Sequence, residues 1–151
     1  MHPETKQLSL DAHLGDDGII YLKAVGKITN QHLEQFSHWT DSVKALISSR
    51  AAAGVDPILV LADIGGVVHY ERKQVTILRE LLDHDKQFPV RTAMVGASKY
   101  AGMLLEALIA ILMRKNIRQF RTQSEAMLWL TAGEKTKQRT DNLTIHEHTD
   151  Y

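Results

Sequence analysis

An α/β domain is the fold class this sequence predicts: a mostly parallel five-stranded sheet with one antiparallel edge strand and four helices. Three observations point there. Two β-prone stretches flank the turn-forming GDDG at residues 15–18, as in a hairpin. Two later runs, ILVLADI and VRTAMVG, are apolar nearly throughout, as strands covered on both faces are. Longer stretches with apolar residues at helical spacing lie between and after them. The order is β-β-α-β-α-β-α-β-α, and strand–helix alternation implies parallel pairing through right-handed crossovers.

Each element has a local reason. Residues 6–14, KQLSLDAHL, alternate loosely and read as the edge strand. IIYLKAVGKI, after GDDG, is its hairpin partner. Asn30 is placed to cap the first helix, because its side chain accepts an orphan amide hydrogen bond. Leu33, Phe36, Trp39, Val43, Leu46 and Ile47 form that helix's stripe, and Gly54 marks its stop. Pro57 opens the next strand, ILVLADI. Residues 63–72 then read as a turn and helix start, and Tyr70, Ile77, Leu78, Leu81 and Leu82 mark the second helix. Pro89 closes it, and VRTAMVG follows as a strand. Ser98 caps a third helix, KYAGMLLEALIAILMRK. A short strand spans Ile117 to Phe120, and Thr122 caps QSEAMLWL, whose Ala126, Leu128, Trp129 and Leu130 are core candidates. Residues 1–132 therefore read as one domain. Residues 133–151 read as a polar tail that ends in a short edge strand, LTIHEH. In this arrangement Thr29, Asp63 to Gly66 and Gly96 to Lys99 share the carboxyl edge of the parallel strands.

The totals narrow the function classes. The chain has 151 residues, enough for one core. Lys and Arg number 18, as do Asp and Glu, so no net charge draws the chain toward nucleic acid or an acidic membrane. The absence of cysteine removes disulfides, thiolate metal sites and a cysteine nucleophile. The start, MHPETKQLSL, lacks a signal-peptide layout, and no apolar run reaches the roughly 18 residues needed to span a bilayer. A cytoplasmic domain without a transmembrane segment is expected.

The element order resembles the STAS domain, named for sulfate transporters and anti-sigma-factor antagonists. The carboxy-terminal half, VRTAMVGASKYAGMLLEAL, IRQF and SEAMLWL, is similar to the SpoIIAA-like branch, a relative of the CRAL-TRIO lipid-binding fold. That resemblance spans roughly residues 6–132 and implies an interaction or regulatory module, or a carrier of a lipid-like ligand. Antagonists of the family carry an Asp-Ser pair at the start of the helix after the third strand, and phosphorylation of that serine blocks docking. Here the place falls near Glu71-Arg72. No Ser or Thr occurs from Asp63 through Val75, and Thr76 lies a turn into the helix. The resemblance therefore implies a module without the serine switch.

The polar residues of the carboxyl edge are the site candidates. Asp63 ends an apolar run and offers either a base or a bond to the amides of the next turn. Gly65 and Gly66 offer either an anion-binding backbone nest or a plain turn. Neither a GxGxxG fingerprint nor a P-loop is present, so no nucleotide cofactor is implied. His69 and Tyr70 sit beside the glycines. Ser98 lacks the GxSxG elbow and reads as a helix cap rather than a nucleophile. Lys99 and Tyr100 complete the group. Asp63 with His69 is the thin hydrolase reading, and no enzymatic activity is expected. His146 and His148 share a strand face but have no third ligand at metal spacing, so no metal is expected. RKNIRQFR is basic but lacks aromatics for stacking, so nucleic acid is not an expected partner.

One helix stands out. In YAGMLLEALIAILM, residues 100–113, only Gly102 and Glu106 are not apolar. A surface helix normally keeps a polar face, yet this one spans about 21 Å, too short for a bilayer. Its outer face requires cover from the fourth helix and tail, a second copy, a lipid-like ligand, or a membrane surface. Met103, Leu104, Leu108 and Ile111 are the candidates for a homodimer contact. The resulting expectation is a non-enzymatic interaction module, with a carrier of a small apolar ligand as the alternative.

Overall fold

The structure, a computed structural model, describes residues 7–132. The tail with its LTIHEH strand and His146 and His148 lies outside the described residues. Strands β1 (Ser9–Leu14), β2 (Ile20–Lys27), β3 (Ile58–His69), β4 (Val90–Val95) and β5 (Ile117–Phe120) form one sheet in the order β1-β2-β3-β4-β5. β1 pairs antiparallel with β2 across the hairpin, Leu14 opposite Ile20. All other pairs are parallel. The helices are α1 (Leu33–Ala52), α2 (Arg72–Asp85), α3 (Lys99–Ile111) and α4 (residues 123–132). The predicted fold class and element order are those observed.

Strand alternation sends side chains to two faces. The first face carries Ile20, Leu22, Ile58, Val60, Ala62, Val90 and Met94, which pack with Val43 and Ile47 of α1, Leu81 and Leu82 of α2, and Leu105, Leu108 and Ile109 of α3. The second face carries Ile19, Leu61 and Ala93, which pack against Ala126 and Leu130 of α4. Steadily advancing strand order with right-handed crossovers puts α1, α2 and α3 on one side. α4 follows the last strand and turns to the other side. It therefore cannot cover the outer face of α3, as the apolar pattern allowed. Leu128, expected in the core, points outward at 68% exposure.

Caps behave mostly as their residue types predict. Ser98 accepts the Ala101 N–H at 3.2 Å, and Thr122 accepts the Glu125 N–H at 3.2 Å. At α1 the cap is displaced by one residue. Thr29 accepts the Gln31 N–H through its hydroxyl and donates its own amide N–H to His32 Nδ1, and Asn30 merely opens a short 3-10 turn, Asn30–His32. The β-branched Thr29 sits comfortably in extended backbone, which a cap position requires.

The main departure is β3. It runs to His69, so residues 63–69 are strand and not turn, and Tyr70 precedes α2 rather than starting it. The two glycines serve close packing inside the sheet. A Cβ on Gly66 would lie 2.8 Å from the Val25 side chain, and one on Gly96 would lie 2.7 Å from the Gly65 Cα. Val25 pairs with Gly66 and Lys27 with His69, with register shifts between. Glycine within a strand commonly marks such a bulge or close approach, and the following Val67 and Val68 favour extended backbone.

Candidate functional site

β4 pairs with β3 only as far as Asp63 opposite Val95, so the last six residues of β3 project past it. α1 packs closely along α2, whereas α3 approaches α2 much less. Between these three helices and the projecting strand lies a cavity of about 370 Å³. Ala24 and Ile28 from β2 and its exit, and Ile64 and Val67 from β3, line the sheet side. Phe36 and Trp39 come from α1, Val75 and Leu78 from α2, and Ala101, Leu104 and Leu105 from α3. Phe36 and Trp39 lie against each other, ring centroids 5.6 Å apart. The Trp39 indole N–H donates to the Asp11 carbonyl at 2.8 Å, which fixes the ring by its polar end and leaves its body for the cavity.

The polar lining is sparse: His69, Tyr70, Gln74 and Ser98. His69 and Ser98 are exposed at the mouth, and Tyr70 is half-buried. Gln74 is deep, with 2% of its surface exposed. Its Oε1 accepts the Glu71 N–H at 2.9 Å, and its Nε2 donates to the Thr29 carbonyl at 3.0 Å. Glu71 caps α2, and its carboxylate also accepts the Asn30 N–H at 3.0 Å. Together these bonds clasp the β2–α1 connection to the start of α2 along one rim.

The structure thus brings His69, Tyr70, Ser98 and Leu104 to one cavity. It leaves the other candidates elsewhere. Asp63 follows Leu61 onto the second face, where its Oδ1 accepts the Gly65 N–H at 3.0 Å, so it does not meet His69 in the cavity. Gly65 and Gly66 are strand residues. Lys99 and Tyr100 stand in the first turn of α3, with Tyr100 79% exposed. Of the dimer candidates, Met103 and Ile111 point outward at 63% and 61% exposure, and Leu108 lies in the core. Sequence reasoning missed Gln74, Phe36 and Trp39 as site residues. Gln74 left a signal: it sits four residues before Leu78 in an otherwise apolar stripe, where a polar residue is unusual.

Elsewhere, the basic stretch after α3 turns out to be partly structural. Arg114 is buried and donates to the Leu82 carbonyl. Asp85 lies buried nearby, hydrogen-bonded to His84, and burial raises its pKa. On the second face Arg91 stacks on Trp129, 3.9 Å from the ring centroid, and donates to the Trp129 carbonyl. Among the described residues no three ligating side chains gather as a metal site, and no helix is long and apolar enough to cross a membrane.

A five-stranded mixed sheet with an antiparallel edge strand, three helices on one face and one on the other is the SpoIIAA-like, STAS fold. Two of the solved structures that share this fold are the following. One is the crystal structure of an uncharacterized protein of the DUF3478 family with a SpoIIAA-like fold from Shewanella loihica PV-4, at TM-score 0.54 and 23% identity, covering 82% of this chain and 93% of that one. The other is SLC26A9, at TM-score 0.53 and 12% identity, where the match covers 81% of this chain and 21% of that one. No protein-family model and no curated protein matches the sequence.

Proposed function

We propose that this chain is a non-enzymatic binding module that holds a small apolar ligand between its three-helix layer and the sheet. The cavity is the observation that carries this reading. Its volume falls in the range of small-molecule sites, and a mainly apolar lining with a few polar groups is their usual make-up. Trp39 supplies a built-in reporter, because it lines the cavity while the other tryptophan, Trp129, packs on the opposite face. Titration with a long-chain apolar probe should change Trp39 emission in a saturable manner. Ala101→Phe, which fills the space from α3, should abolish that response in a folded protein. An unaltered response in the filled variant sinks the reading.

A second reading rests on a different surface. Tyr100, Met103, Ile111 and Met113 expose 61% to 79% of their surface on and just beyond α3. Large exposed apolar side chains in one region mark contact surfaces. We infer a protein contact there, with a two-fold homodimer as the simplest form. Sedimentation of the wild type as a monomer at high micromolar concentration would remove the homodimer.

A further inference from the structure

We propose that the ligand of this cavity is neutral and carries a single hydrogen-bond-accepting group, so that the site takes an ester, ketone or ether rather than a fatty acid anion. This inference rests on the binding reading above and names its ligand class. Size comes first. A cavity of about 150 Å³ holds benzene, so about 370 Å³ scales to about fifteen non-hydrogen atoms. Charge comes second. None of the residues lining the cavity is Lys, Arg, Asp or Glu, and the one imidazole, His69, is exposed at the mouth rather than inside. A carboxylate drawn inside would lose its water with no cation to replace it. The rim adds to this exclusion. The Glu71 carboxylate already occupies the start of α2 and bridges to Asn30, so that helix terminus meets a negative charge supplied by the protein.

The polar contact is Gln74. The Glu71 N–H fixes its amide orientation, because only the carbonyl oxygen can accept that hydrogen. Nε2 then faces the Thr29 carbonyl and uses one of its two N–H groups there. Its second N–H has no protein acceptor among the described residues, and the side chain is 2% exposed on the wall of an apolar cavity. A buried donor without a partner is costly, and a ligand acceptor relieves that cost. Ser98 adds a second donor at the mouth. Its oxygen accepts the Ala101 N–H, and its own hydroxyl hydrogen has no acceptor among the described residues.

Three probes of matched size separate the alternatives: pentadecane, methyl dodecanoate and dodecanoate. Each is titrated into the full chain below its aggregation limit at about pH 8, where the acid is ionised, with Trp39 emission as the readout. The ester should bind at least about tenfold more tightly than dodecanoate, and at least about tenfold more tightly than pentadecane once the alkane's larger transfer free energy from water is subtracted, the scale of one unpaired charge or one buried hydrogen bond. Gln74→Met should reduce the ester's advantage over the alkane. The wild-type ranking decides even if that variant folds poorly. Dodecanoate binding as tightly as the ester overturns the neutral head group and leaves the apolar cavity reading intact. Pentadecane binding as tightly as the ester after that subtraction overturns the role of Gln74 in the same way. Binding by none of the three overturns both this inference and the reading beneath it.

Discussion

At the amino edge of the parallel strands, Ile58, Val90 and Ile117 meet Leu82, Leu108 and Leu112, and all are buried. At the carboxyl edge the same three helices leave a cavity of about 370 Å³ lined by Trp39, Leu78 and Leu104. The two ends share one sheet and one set of helices, yet they differ in what fills the space between. The closed end has close-packed aliphatic side chains and even absorbs two buried charged residues, Asp85 and Arg114. The open end has small side chains, Ala24 and Ala101, and a helix that stands away from its neighbour. Close packing and open space are thereby placed at opposite ends of one layer, and each can be disturbed without the other.

The largest expected effect breaks the closed end. Leu108→Glu buries an unpaired carboxylate and should cost about 3–5 kcal/mol. Met103→Glu, on the outward side of the same helix, should change the stability of the monomer by less than about 0.5 kcal/mol. Equal losses in denaturant titrations would mean that α3 does not present these two faces. Next comes the layer on the far side of the sheet. Trp129→Ala removes an indole that touches Phe120 and Arg91, and should cost about 3 kcal/mol. A loss below about 1 kcal/mol would show that α4 is not docked there.

A matched pair of enlargements sharpens the contrast further. Ala62→Leu, in the packed region, should cost about 1–3 kcal/mol through overpacking. Ala101→Leu, facing the cavity, should gain about 0.5–1 kcal/mol by filling space. If both changes destabilise, the open end is not open in solution.

The smallest effect is a pH dependence at the closed end. Burial raises the pKa of Asp85 against the opposing pull of His84, Arg114 and Lys44. Below the ordinary carboxylate value, both folded and unfolded states hold the proton and Asp85 contributes nothing. As pH climbs from there to the raised folded value, the unfolded chain releases its proton first, so stability falls. Above the folded value the full cost is present. Asp85→Asn should therefore be more stable than wild type at about pH 7, with the gain fading by about pH 3. A gain of the same size at both pH values would assign the effect to packing instead.

Most of the fold was legible because period, punctuation and caps agreed. The GDDG hairpin, the Gly54 stop, the Ser98 and Thr122 caps and the buried runs at Ile58 and Val90 each have one local cause, and the structure keeps them. The failures share a physical origin. Gly65-Gly66 is equally good turn chemistry and equally good close-approach chemistry. What selects the second is Val25 on the neighbouring strand, which lies 41 residues away in sequence. The side taken by α4 was illegible for the same reason, since an apolar stripe says that a helix is covered and not by which face of the sheet. The cavity was half legible. His69, Tyr70, Ser98 and Leu104 were in view, but a void depends on the spacing of α2 and α3, which no single segment encodes.

Glu71 has a consequence for how such a domain is governed. Its carboxylate stands at the start of its own helix and accepts the Asn30 amide N–H across the rim, in a stretch with no Ser or Thr from Asp63 through Val75. A charge that is part of the genetic text is present from synthesis onward. No kinase installs it and no phosphatase takes it away. The clasp at that rim is thus built from a charge the chain always carries, and under the binding reading proposed above the state of this end turns on whether the space behind the clasp is full or empty.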